Sequence, residues 1–110
     1  MGERRVSDFE GRVYAALCEV PRGCVTTYGL LAKRLGAASA RAVGQALRRN
    51  PFAPGVPCHR VIRADLRMGG FQGAAAGARV ARKRRMLAAE GVLFEGGRLK
   101  EPARVFRFPR

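Results

Sequence analysis

A cysteine stands directly before the only histidine of the chain, Cys58 and His59, inside the stretch VPCHRV at 56–61. The chemistry open to such a pair is nucleophilic displacement. A free thiol with a pKa of about 8.5 is only a few per cent thiolate at neutral pH, so a reactive cysteine needs a neighbour that takes its proton. His59 is the one imidazole available for that. In an extended strand adjacent side chains point to opposite faces, so the two cooperate only where the backbone turns or a water bridges them. Pro57, with its fixed φ, favours a departure from regular strand.

An imidazole base works best with a carboxylate behind it, which sets its tautomer and stabilises the imidazolium. Of the 8 Asp and Glu residues, Asp65 lies in an arginine-rich loop and reads as exposed. Glu90 closes the helical run RVARKRRMLAAEG on the side bearing Val80, Met86 and Leu87, and is the candidate. Zinc is a poor alternative, because Cys18 and Cys24 are too far apart for paired ligand spacing and Cys58 and His59 lie far downstream. No metal and no cofactor is expected. Three cysteines are too few and odd for a disulfide scaffold, which fits a reducing compartment. Cys18 reads as core on an apolar helix face, and Cys24 follows a turn.

The elements that must hold these groups are marked by caps and breakers. Ser7 and Glu10 have capping-box spacing, and Phe9, Val13, Ala16, Leu17 and Val20 repeat at helical intervals until Pro21 and Gly23, which predicts a helix over about 8–20. Thr26 or Thr27 caps a second helix carrying Leu30, Leu31 and Leu35 and ending at Gly36. Ser39 caps a third, ARAVGQALRRN, ending at Asn50 before Pro51. The last two form a helix-turn-helix at about 27–49. A late helix is expected near 77–90, and a turn at Gly96 and Gly97 with an alternating segment over Val105–Phe108 after it. The fold class is mainly α with a small β element, a winged-helix-like helix-turn-helix domain. At 110 residues the chain reads as one domain, 1–110.

Composition supplies the partner class. With 22 Lys+Arg against 8 Asp+Glu the formal charge is +14, which favours a polyanion. On the third helix Ala42 and Gly44 keep the surface low, Arg41 sits near the start, and Arg48 and Arg49 near the end, within reach of phosphates. A small-residue helix packed tightly on a neighbour gives the same pattern. No stretch approaches the roughly 18–20 apolar residues of a membrane span and the N-terminus lacks a secretory pattern, so the expectation is a cytoplasmic protein without membrane contact.

Taken together, VYAALCEVPRGCVTTYGLLAKRLG, ARAVGQALRRNP, VPCHRVI, GGF and RKRRMLAAEG, spread over about 9–92, resemble the DNA-binding, active-site domain of the O6-alkylguanine-DNA alkyltransferases, the methylated-DNA-protein-cysteine methyltransferases. The amino-terminal domain usual in that family is expected to be absent, since the first matched helix begins within ten residues of Met1. The resemblance implies that Cys58 accepts an alkyl group in one irreversible displacement and that His59 and Glu90 deprotonate it through a water. It makes Arg41 the finger that fills the stack vacated by a flipped guanine. Tyr28 becomes the residue that crowds the phosphate and donates to the leaving base, and Asn50 the brace of the active-site turn. Docking in the minor groove of double-stranded DNA containing O6-alkylguanine is implied for the third helix. Val56, Pro57, Arg60, Gly70 and Phe71 are the matching pocket positions.

Two departures stand out. The pocket loop, often GGYAGG in the family, is the longer GGFQGAAAGARVA here, with Phe71 at the usual tyrosine. The short domain with its tail is also similar to the alkyltransferase-like proteins, which bind O6-alkylguanine without repairing it, recruit excision repair, and carry tryptophan or alanine in place of the cysteine. Three readings follow: a single-turnover repair protein acting as a monomer, a lesion sensor with excision-repair partners, and a basic helix-turn-helix regulator. The Cys58, His59 and Glu90 set favours the first, because a sensor needs neither a nucleophile nor its base.

Overall fold

The computed structural model describes residues 6–36, 39–53 and 55–109. Helix α1, Asp8–Leu17, starts on a capping box: Glu10 N–H donates to Ser7 Oγ at 3.0 Å and Ser7 N–H donates to the Glu10 carboxylate at 3.1 Å. Its stripe of Val13, Ala16 and Leu17 is buried, with Val20 beyond it, while Phe9 is half-buried. The helix stops earlier than the expected 20, and Glu19 and Val20 N–H instead donate three residues back in a tighter turn. Cys18, expected in the core, is exposed. At about 100° per residue it falls off the stripe defined by Val13 and Leu17.

Thr27 and Ser39 cap the next two helices through hydroxyls that accept from Leu30 N–H and Ala42 N–H, at 3.1 and 3.0 Å. These helices, α2 (Tyr28–Arg34) and α3 (Ala40–Arg48), form the expected helix-turn-helix, with Gly36 at φ 86 just past α2. They close over α1 around Val13, Leu17, Leu31, Val43 and Leu47. A buried tie runs from the Tyr14 hydroxyl to the Ala46 carbonyl at 2.7 Å.

The β content is small. Strand β1, Thr26–Thr27, pairs in parallel with β2, Val61–Ile62, with Thr26 opposite Val61. Helix α4, Ala78–Ala89, covers this pair, and a second apolar cluster of Val25, Ile62, Leu87, Val92 and Leu99 forms there. A hairpin of β3 (Phe94–Glu95) and β4 (Arg98–Leu99) turns on Gly96 and Gly97, both at positive φ. The alternating tail does not become a strand of its own. Val105 makes a single bridge to Val25, and Phe106 and Phe108 stack edge-on at 5.1 Å. The result is a mainly α domain with two small two-stranded sheets.

One side chain joins the layers, and nothing in its sequence neighbourhood marks it. Lys83 of α4 is 1% exposed, and its ammonium donates to the carbonyls of Val61, Met68 and Gly70 at 2.8, 2.7 and 3.0 Å. All three N–H bonds are used, so β2 and the loop after it are pinned to α4. Burial pushes the Lys83 pKa down to about 8, against a smaller upward pull from Cys58. Lys83→Met keeps the bulk but strands three carbonyls, and is expected to lower unfolding free energy by about 2–4 kcal/mol. Urea denaturation at unchanged m-value tests this, and a loss below about 1 kcal/mol would show that the carbonyls find other partners.

Candidate active site

Cys58–Arg60 is a single 3-10 turn, entered from Pro57 at φ −82, ψ 67. With about three residues per turn, consecutive side chains fan out roughly 120° apart. The backbone therefore does turn at the Cys-His pair. Cys58, 8% exposed, borders an open cavity, while His59 and Arg60 reach α4.

Both converge on Glu90, the residue that closes α4. His59 Nε2 lies 2.9 Å from Glu90 Oε2. Arg60 donates through Nε to Oε1 at 2.9 Å and through Nη2 to Oε2 at 3.0 Å, with its third bond to the Val20 carbonyl at 2.9 Å. Burial would raise the Glu90 pKa, but the Arg60 fork and His59 together outweigh it and hold the carboxyl at about 2. An ionised Glu90 takes the His59 Nε2 proton as its hydrogen bond, which leaves Nδ1 the basic nitrogen. That Nδ1 is buried and has no hydrogen-bond partner among the described residues. Burial lowers the His59 pKa, with Glu90 opposing, so the ring is a neutral base at physiological pH.

The thiol is set for activation from outside itself. Burial raises the Cys58 pKa, and the Asn50 amide, the local backbone and the Lys83 charge work against it. Asn50 also braces the approach: its Nδ2 donates to the Val56 carbonyl at 3.1 Å, and its Oδ1 accepts from Phe52 N–H at 2.8 Å. The same Val56 carbonyl accepts from Cys58 N–H at 2.9 Å. Tyr28, at the first position of α2, has its pKa raised by burial and then by Cys58, so its hydroxyl remains a donor beside the thiol.

A cavity of about 350 Å³ opens in front of Cys58, within the usual range for small-molecule sites of roughly 300–1,000 Å³. Tyr28, Arg41, Gly44, Arg48, Gly70 and Phe71 line it. Phe71 is buried, and its turn is tight enough that a Cβ on Gly70 would lie 2.5 Å from the Ala74 carbonyl oxygen. A Cβ on Gly44, in contrast, would meet nothing within 4 Å. The small residue on α3 is therefore not required by internal packing and leaves an open surface. Ala42 on α3 and Arg49, which caps its C-terminus, lie outside the cavity wall.

Three expected pocket residues do not line it. Val56 and Pro57 form the loop behind the turn, and Arg60 points the other way, because two steps of a 3-10 turn rotate it about 240° from Cys58. Its work is to hold Glu90. Lys83 is the support that sequence patterning missed, since one lysine in a run of basic residues gives no sign of burial.

Residues 8–92 match the family described as 6-O-methylguanine DNA methyltransferase, DNA binding domain, and the chain belongs to that family. It is 43% identical over 90 residues to the methylated-DNA–protein-cysteine methyltransferase of Methanothermobacter thermautotrophicus, covering 82% of this chain and 48% of that protein. It is 55% identical over 62 residues to the DNA base-flipping protein of Thermus thermophilus, covering 59% of this chain and 42% of that one. The chain spans about half the length of the curated relatives it matches. Among solved structures it resembles the O6-methylguanine-DNA methyltransferase of Pyrococcus kodakaraensis, with TM-score 0.69 and 44% identity, over 79% of this chain and 48% of that one. The S. pombe Atl1 protein, solved with damaged DNA containing O6-carboxymethylguanine, superposes with TM-score 0.79 at 32% identity over 94% of this chain and 99% of that one.

The Glu90 cluster predicts an acid limb. Its folded pKa of about 2 lies below the ordinary carboxylate value, so the unfolded chain binds more protons between those two values and stability rises with pH across that window. Stability is expected to be complete above about pH 5 and to fall as pH drops toward 2. Glu90→Gln should flatten this limb while lowering stability at pH 7. Equal slopes for the two proteins in acid denaturation would disprove the assignment.

Proposed function

We propose that this chain repairs O6-alkylguanine in duplex DNA by moving the alkyl group irreversibly onto Cys58. The observation that carries the reading is a buried thiol at the wall of an open cavity, followed in sequence by a histidine whose Nε2 is fixed on an ionised glutamate. Helix α3 offers an open low surface at Gly44 for the minor groove, flanked by Arg41 and Arg48. An alkyl carbon on O6 is out of reach inside a stacked duplex, so the nucleotide leaves the stack, at a cost of a few kcal/mol. Phosphate contacts and Arg41 in the vacated position offset that cost.

The thiol loses its proton toward His59 Nδ1, with a water as the link in the smaller space that Cys58 and His59 both line, and Glu90 stabilises the imidazolium. The thiolate attacks the carbon on O6. The S–C bond forms, the C–O bond breaks with its electron pair on oxygen, and the guanine becomes neutral by taking a proton from a donor such as Tyr28. The protein is consumed as reactant, a single-turnover methylated-DNA-protein-cysteine S-methyltransferase.

The sensor reading is supported by the near-complete overlap with the S. pombe protein. A retained thiol next in sequence to a histidine held by a glutamate is what favours repair. Intact-mass measurement after incubation with an O6-methylguanine duplex separates them. One added methyl on Cys58 is expected, with Cys18 and Cys24 unmodified and the reaction ending at one equivalent. Cys58→Ala should abolish transfer and keep lesion binding. Binding without transfer by the intact chain would establish the sensor.

Arg41 supplies a second test. Arg41→Ala should weaken lesion binding by roughly tenfold or more, with little change in salt dependence, because an inserted side chain fills a gap in the stack. Arg107→Ala should have a much smaller effect. Equal losses in a fluorescence titration would refute the finger.

A further inference from the structure

Cys58 borders a second cavity, about 140 Å³ in volume, between the active-site turn and α4. Cys58, Phe71 and Gln72 line both this chamber and the larger one, so the thiol sits at their junction. Two of these shared residues belong to a tight turn: Phe71 and Ala74 exchange backbone hydrogen bonds at 2.8 and 2.9 Å, with Gln72 and Gly73 at φ 51 and 82. Arg79 holds the turn to α4 by donating to the Gln72 carbonyl at 2.8 Å. Arg79, Arg82 and Met86 are spaced three and four apart and share one face of α4, while the neighbouring Lys83 is turned inward. Arg82 and Met86 line the chamber from α4, and His59 lines it from the active-site turn. No carboxylate lines the chamber, and Arg82 has no ion pair among the described residues.

We propose that this second chamber receives the distal end of the O6 substituent, and that Arg82 selects for substituents ending in a carboxylate. The inference rests on the site reading above, in which the flipped base occupies the larger cavity. In a displacement the sulfur approaches the carbon opposite O6, so the rest of the substituent must leave the S–C–O line sideways, at the level of the thiol. Cys58 lines the chamber at that level. For a carboxymethyl group the S–CH2 bond forms, the CH2–O6 bond breaks with its electron pair on guanine, and the carboxylate is carried along unchanged. A carboxylate beside a thiolate is repelled by it, and the Arg82 guanidinium offsets that repulsion with a charge-assisted hydrogen bond.

The test compares O6-carboxymethylguanine with O6-isobutylguanine in the same duplex, two substituents of equal branching and heavy-atom count that differ in charge. O6-methylguanine is the control for transfer itself. Single-turnover rates by intact mass are measured for the full chain, Arg82→Gln and Arg82→Lys. The expected result is a carboxymethyl-to-isobutyl rate ratio that falls by about tenfold in Arg82→Gln and is largely retained in Arg82→Lys. An unchanged ratio, or equal slowing of both substrates, overturns the proposal. Should the intact chain fail to transfer even the methyl group, the repair reading falls instead, and the same ratio measured as dissociation constants decides the role of Arg82.

Discussion

The site depends on one carboxylate. Glu90 accepts hydrogen bonds from His59 and from the Nε–Nη2 edge of the Arg60 guanidinium, and these are two of the three residues in the turn that begins with Cys58. A 3-10 turn has poor hydrogen-bond geometry and does not persist on its own account, so its fan of side chains needs outside anchors. Glu90 anchors two spokes to the end of α4, which leaves the third, Cys58, facing the cavity. The interaction that orients the imidazole thus also aims the thiol. Because the carboxylate is shared with a guanidinium, it stays ionised without needing His59 to be protonated, and the imidazole remains a base.

Helix α4 plays an unexpected part in this. Its sequence is dominated by cations and small residues and offers only a thin apolar stripe, yet it supports the site at three levels. Leu87 packs into the second apolar cluster, Lys83 ties the backbone of β2 and the following loop, and Glu90 holds the turn. A buried ammonium is costly unless its protons are all satisfied, and here three carbonyls from two separate segments satisfy them. The positive charge also favours thiolate at Cys58. One residue therefore both fixes loop position and contributes a small favourable charge near the thiol.

The division of labour between surfaces follows from α2 and α3. Their apolar sides close the main core with α1, which leaves the outer side of α3, and on α2 Gly29, Lys33 and Arg34, facing solvent. On that outer side the small Gly44 sits among Arg41, Gln45 and Arg48, a low strip with cations at its borders. The family's DNA-binding role and the chain's excess of positive charge are consistent with that strip.

Much of this was legible in the sequence because it is encoded locally. The capping box of Ser7 and Glu10, the caps Thr27 and Ser39 and the helical repeats of Val13, Leu17, Val43 and Leu47 are short-range signals, and the helices start where they predicted. The adjacency of Cys58 and His59 and the choice of Glu90 over Asp65 also came from residue type and helix phase. Other features depend on contacts between segments far apart in the chain. Cys18 lies one helical step off the buried stripe and became exposed, and Arg60 was turned from the pocket to Glu90 by the pitch of its turn. Lys83 was drawn inside by carbonyls 13 to 22 residues away. Local sequence sets propensity and periodicity, whereas the fate of a charged side chain is decided by which unpaired carbonyls and carboxylates the finished fold brings within its reach.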